Sequence, residues 1–135
     1  MRKQYHFRPS EDGLMAWDVH RLVALSKYFP RFFVPLDGIR ELDEPFWFGN
    51  GDIPTCRLVV GHARLMEAAD LGFPIILSAN GRVMDGMHRV GKAILLGRPA
   101  IEAVQFLDDP EPDFIGVHPD ELPYDEEPGP FNNTG

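Results

Sequence analysis

"FPIILSANGRVMDGMHRVGKAILLG", residues 73–97, is the stretch on which the reading of this chain turns. Two apolar runs, Pro74 to Leu77 and Arg82 to Met84, flank Ala79-Asn80-Gly81. Asn-Gly favours the positive backbone angles of a tight turn, so the pattern predicts a β-hairpin. The second run enters Asp85-Gly86 and leaves as a helix, Met87 to about Leu96, stopped by Gly97-Arg98-Pro99. The first turn of that helix carries His88 and Arg89, with Lys92 one turn on. A helix N-terminus already bears about half a positive charge, so exposed cations there are ordinarily unfavourable. Their placement needs a reason.

One reason is a bound anion. The first backbone N–H groups of a helix have no internal partners and point outward along the dipole. Gly86 has no Cβ, so a ligand can approach the backbone closely. Arg89 offers a planar fork for phosphate oxygens, His88 reaches the same place, and Lys92, four residues from His88, adds a point charge. The plainer reading makes Asp85 an N-cap, Gly86 a turn residue and the basic residues a solvated face. From spacing alone the two stand level.

Outward from this stretch, "AIEAVQFL" predicts a closing strand over 100–107, and "FFVPLDGI" a short strand from Phe32 to Leu36. Thr55 is a suitable cap for a helix over 56–70 with Val59, Val60, Ala63 and Met66 as its apolar face, ended by Gly72. "RELDEPFWFGNGDIP" reads as an irregular loop whose Phe46, Trp47 and Phe48 line a core edge or a ligand wall. Ser10 followed by "EDGLMAWDVHRLVALSKYF" predicts an N-capped helix over 11–28, with Met15, Val19, Leu22 and Val23 on one face. From Asp108 the chain is acidic and proline-rich, a solvated tail anchored by Phe114, Ile115 and Tyr124 and frayed after Pro128. The organisation expected is therefore a helical extension over 1–31, a domain over 32–107 and a tail over 108–135.

Composition limits the function classes. The chain has 135 residues, 44% hydrophobic and 25% charged, as in an ordinary globular protein. No apolar run approaches the roughly 18 residues of a membrane span, and "MRKQYHFRPSEDG" has no signal-peptide core. One cysteine, Cys56, precludes an internal disulfide and fits a reducing cytoplasm. Cys56 itself is expected to be buried and inert. The net charge of −8 disfavours a general nucleic-acid surface, which needs a basic stripe. Nearly half of the acidic residues follow Leu107, however, and Phe46 to Leu107 is near charge balance, which leaves room for a local basic pocket. His6, His20, His62 and His118 have no partner at metal-ligand spacing and read as structural or surface residues.

The order strand, Asn-Gly turn, strand, "DGMHR" helix start and "IEAVQF" strand resembles the ParB N-terminal and sulfiredoxin-like superfamily over Phe32 to Leu107. That resemblance implies an α+β fold, a small mixed sheet packed with helices, and a nucleotide held by its phosphates at the helix start. In that superfamily ParB proteins bind CTP, sulfiredoxins bind ATP, and a branch of free-serine kinases carries Asp-Gly-His-His-Arg. Asp85-Gly86-Met87-His88-Arg89 is most similar to the kinase version, with Met87 in place of its first histidine.

Carried over position by position, the resemblance makes Asp85 the acid beside a transferred phosphoryl group or a magnesium ion. Gly86, Met87, His88 and Arg89 form the phosphate-binding turn, and Arg57 of "PTCR" is a secondary contact. His88 and Asp85 would also act in catalysis, together with a base from "IRELDEP". Glu41 is preferred there over Asp43 and Glu44. Met87 stands where sulfiredoxins carry their reactive cysteine, which removes that chemistry. No helix-turn-helix segment follows the fold, as a DNA-partitioning ParB protein would need.

The function these readings imply is binding of a phosphorylated small molecule: ATP, ADP or CTP with Mg2+, held for phosphotransfer or nucleotide hydrolysis. The competing class is a non-enzymatic nucleotide-sensing or protein-interaction module.

Overall fold

The structure is a computed structural model and describes residues 3–49 and 51–124. It is α+β, with three helices and two small sheets ordered β1(Tyr5–Ser10), β2(Gly13–Asp18), α1(Val19–Ser26), β3(Phe32–Pro35), α2(Cys56–Ala68), β4(Ile75–Leu77), β5(Val83–Asp85), α3(Met87–Leu95), β6(Ala100–Gln105) and β7(Phe114–Ile115). The chain divides into two units: Phe29–Asp108, and Met1–Tyr28 together with Asp109–Gly135. Among the described residues no helix is long and apolar enough to cross a membrane.

The Phe29–Asp108 unit holds a four-stranded sheet in the order β3-β6-β4-β5. β6 runs antiparallel to β3 and parallel to β4, with Ile75 opposite Ala103 and Ile76 opposite Val104. β4 and β5 form the predicted hairpin, with a register shift between Ile76 and Leu77. Its loop closes where the Gly81 N–H donates to the Ser78 carbonyl at 2.9 Å and the Ser78 N–H to the Arg82 carbonyl at 2.8 Å. Helix α3 ends as the sequence signals: the Gly97 N–H donates to Ile94 and the Arg98 N–H to Ala93, which satisfies carbonyls the helix leaves open. Leu36, Ile75, Leu77, Val83, Val90 and Ala103 form the centre of the core.

Helix α2 begins at the predicted cap, Thr55, whose hydroxyl accepts from the Leu58 N–H. Its expected apolar face is not the buried one. Val59 and Val60 stand 52% and 56% exposed and Ala63 is exposed, while His62, Met66 and Ala69 are the partly covered positions. Apolar residues lie almost all round this helix, so periodicity could not choose the phase. Packing chose it: Met66 sits directly over Gly91 of α3, where an added Cβ would lie 2.5 Å from the sulfur. Cys56 is exposed at the first position of α2, against the expectation of a buried thiol.

The other unit corrects the helix expected over 11–28. Tyr5–Ser10 and Gly13–Asp18 form a hairpin, and within the expected helix only Val19–Ser26 is α-helical. Glu11 and Asp12 make a two-residue loop between the paired Ser10 and Gly13, and Ser10, the expected cap, instead donates its hydroxyl to the Gly13 carbonyl at 2.6 Å. Gly13 adopts φ +110°, and a Cβ there would lie 2.8 Å from the Gly116 Cα, so the turn accepts only glycine without strain. The cap of α1 is Asp18, whose carboxylate accepts from the His20 N–H at 2.9 Å. The expected tail is ordered as far as described. Phe114–Ile115 pair with β2, Tyr124 packs edge-on against Tyr5 at 5.3 Å, and Leu122 is buried. The fraying expected after Pro128 lies outside the described residues.

Within this unit His6 pairs across from Trp17, and the two rings lie 5.6 Å apart. Its buried Nε2 has no partner. Burial, with the Arg8 charge as a second cause, lowers its pKa to about 4. The unfolded chain therefore takes up this proton near pH 6.5, before the folded one does, so stability is complete above that value and falls as the pH drops toward 4. A His6→Leu variant is expected to lose stability less steeply in urea titrations between pH 6.5 and 4.5, by on the order of 2 kcal/mol across the window. Parallel curves for both proteins would remove His6 from the acid response.

Candidate functional site

The helix start at Asp85 is built as the local sequence requires, but its cations are not free. β5 delivers Asp85, Gly86 turns the chain at φ 109°, and α3 begins at once, with no side chain capping its N-terminus. Arg89, one turn along, folds back so that Nη2 donates to Asp85 Oδ2 at 2.9 Å and to the Pro74 carbonyl at 3.2 Å. Both side chains of the pair are 19% exposed, and the buried Nε of Arg89 has no partner. The guanidinium lies directly over Gly86. A Cβ there would come within 2.8 Å of Arg89 Nη2 and 2.7 Å of Ile75 Cγ2. Thus Gly86 is glycine because of its backbone angle and because two side chains occupy the space of a Cβ.

Lys92 is elsewhere. Its ammonium group donates to the carbonyls of Glu67 and Ala69 at 2.9 and 2.7 Å, closing the C-terminus of α2. A cation at a helix C-terminus meets the negative end of the dipole, so its role here is structural. Arg57 is exposed in the first turn of α2.

His88 turns toward α2, where its Nε2 lies 2.9 Å from His62 Nδ1. Both imidazoles lie nearly parallel to the Trp47 indole, at 4.8 Å for His88 and 4.6 Å for His62. With the two rings only 5.2 Å apart, they rest side by side on the same indole face. Burial lowers both pKa values, and the His62 charge lowers that of His88 further. The neutral forms are favoured, so the imidazoles act as hydrogen-bonding groups rather than cations, and the positive charge at the turn comes from Arg89. Sequence reasoning assigned His62 to the surface or scaffold. The signal that would have found it is its place on the α2 face shared with Met66 and Ala69.

Of the three acids in "IRELDEP", the structure buries one. Glu41 is 4% exposed, in a 3-10 turn over Arg40–Asp43. Its Oε2 accepts from the Val83 N–H at 2.8 Å and lies 3.8 Å from Arg82 Nη1, while its Oε1 has no partner. Asp43 is exposed, and Glu44, also exposed, spends both oxygens on Arg82 at 2.8 and 2.7 Å. Among the described residues no three histidine, cysteine or acidic side chains gather as a metal site. A single carboxylate such as Asp85 suits only a magnesium ion that brings phosphate and water ligands with it.

These features define a small α+β protein with a two-stranded lead-in to an uncapped helix N-terminus, an ion pair across it and a histidine pair on a tryptophan beside it. Against known proteins, no family profile, curated protein or solved structure matches the chain.

Proposed function

We propose that this domain binds the phosphate groups of a magnesium-complexed nucleotide at the start of α3. The observation that carries the reading is the Asp85–Arg89 pair at 2.9 Å across a helix start with no side-chain cap. A bare phosphate would have to compete with Asp85 for the guanidinium. A magnesium-bound phosphate need not, because the metal goes to Asp85 while a phosphate oxygen goes to Arg89 and the backbone N–H groups. Both charges of the pair then keep a partner. The resemblance of "DGMHR" to the phosphate turn of ParB and sulfiredoxin-like proteins supports the same reading.

The catalytic extension is phosphoryl transfer or nucleotide hydrolysis, where positioning and charge neutralisation supply most of the rate. Glu41 is the carboxylate to orient an acceptor, since it alone of the three acids is buried and retains an unpaired oxygen. A nucleotide-sensing module without turnover is favoured by a different observation: Leu58, Val59, Val60 and Leu65 of α2 are each about half exposed, apolar surface spread over much of the helix that a partner could cover. Turnover under saturating nucleotide separates the two.

Thermal unfolding against ATP, ADP, CTP, GTP and inorganic phosphate, each with and without magnesium, tests the binding. A ligand at about a hundred times its dissociation constant adds about 2.7 kcal/mol, several degrees in a domain of this size. A magnesium-dependent shift for a nucleotide is expected, and no shift with any of them overturns the proposal. Asp85→Asn is expected to invert the metal effect: Arg89 is released, so phosphate alone binds more tightly and magnesium ceases to help. Unchanged magnesium dependence in that variant would show that Asp85 does not meet the metal.

A further inference from the structure

Polar contacts tie α2 to α3 at two levels. Near the C-terminus of α2, Lys92 holds the Glu67 and Ala69 carbonyls. Halfway along the helix, His62 Nδ1 meets His88 Nε2 at 2.9 Å. The ring centroids are 5.2 Å apart, longer than the nitrogen separation by about one ring radius at each end, so the two nitrogens point straight at each other. Whichever of them carries the hydrogen, the other must accept it. Trp47 lies against both rings, and Phe48 stands edge-on to His62 at 5.3 Å. No residue of α2 is itself buried, so its N-terminal half depends on this contact to stay on α3.

We propose that the His62–His88 pair is a proton-operated latch, closed while its two rings share a hydrogen and open when both are protonated, which frees the N-terminal half of α2. In the neutral pair one hydrogen lies between the facing nitrogens. A first added proton goes to an outer nitrogen and leaves that bond in place, now charge-assisted. A second puts a hydrogen on both facing nitrogens and sets two like charges side by side, and the contact cannot survive. The surroundings do not offset that repulsion. Asp85 is committed to Arg89, Glu44 to Arg82, Glu41 to the Val83 N–H and Lys92 to α2. The other charged residues of α2, Arg57, Arg64 and Glu67, are exposed, and Trp47 and Phe48 carry no charge. Burial lowers the pKa of both rings, and the His62 charge lowers that of His88 further. A released ring returns to its ordinary value near 6.5, so opening takes up protons. The latch is therefore fully closed above about pH 6.5 and weakens as the pH falls below it. It needs no nucleotide and stands apart from the Asp85 reading.

Hydrogen exchange of the full chain from about pH 7 to about pH 4, corrected for the intrinsic rates, tests the latch. The amides of Val59 to His62 are expected to lose protection by about tenfold or more relative to those of Glu67 to Ala69, which lie where Lys92 holds the helix. His62→Gln keeps a hydrogen-bonding side chain that does not titrate, so the relative loss should disappear. His88→Gln should remove it equally, because opening requires two charged rings, and it serves if the first variant does not fold. Retained protection at Val59 to His62 down to about pH 4 in the natural protein would overturn the proposal. The same relative loss in the substituted proteins would overturn it too, since the acid response would then come from another group.

Discussion

Gly86→Ala is expected to destabilise the domain by about 4 kcal/mol, a large part of the roughly 5–15 kcal/mol that holds a protein of this kind together. Two costs add. The backbone sits at φ +109°, outside the regions an L-residue readily adopts, which costs about 1–3 kcal/mol. The new methyl group would also lie 2.7 Å from Ile75 Cγ2 and 2.8 Å from Arg89 Nη2. Ile75 is fully buried in the core and cannot yield without moving β4, an overpacking cost of about 1–3 kcal/mol. Arg89 can yield only by leaving Asp85. Gly81→Ala is the control, because Gly81 also has positive φ, +84°, but open space where its Cβ would go. The difference between the two variants in urea unfolding therefore isolates the contact from the backbone strain. Equal losses would mean that Ile75 and Arg89 make room at little cost.

Arg89→Ala is expected to abolish the nucleotide-dependent thermal shift while leaving a folded protein. The guanidinium is the charged donor that faces the α3 N-terminus, since Lys92 is committed to α2 and the neutral forms of His62 and His88 are favoured. Loss of a charge-assisted, two-pronged phosphate contact corresponds to about a hundredfold or more in affinity. The substitution also strands a partly buried Asp85, at about 1–3 kcal/mol, so each variant is compared with its own ligand-free midpoint. Arg89→Lys keeps the charge and loses the planar fork, and should recover part of the binding. A full nucleotide shift in Arg89→Ala would remove the α3 start as the phosphate site.

The elements that local chemistry specifies were legible. Asn80-Gly81 between two short apolar runs, Thr55 before α2, and Gly97-Arg98-Pro99 after α3 each act within a few residues, and each does what its residue types require. The misread segment is 11–18. A helical face through Met15, Val19 and Leu22 competes there with the tight turn at Glu11-Asp12, and α1 starts only at Val19. What decides for the strand is pairing on both sides of β2, with β1 across a tight turn and with β7, about a hundred residues away in sequence. No window of sequence contains that second partner.

The candidate site divides along the same line. The sequence by itself determined the strand–glycine–helix succession at Asp85-Gly86-Met87, because φ > 0 and a helix start are local properties. It also marked Arg89 as a residue in need of an anion. Only the tertiary structure decided that the nearest anion is Asp85, that Lys92 serves α2, that His88 meets His62 over Trp47, and that Glu41 rather than Asp43 or Glu44 is buried. The reason is physical. Backbone angles and caps act over one helical turn, whereas the partner of a charged side chain is whichever opposite group the packing of distant elements brings within about 3 Å.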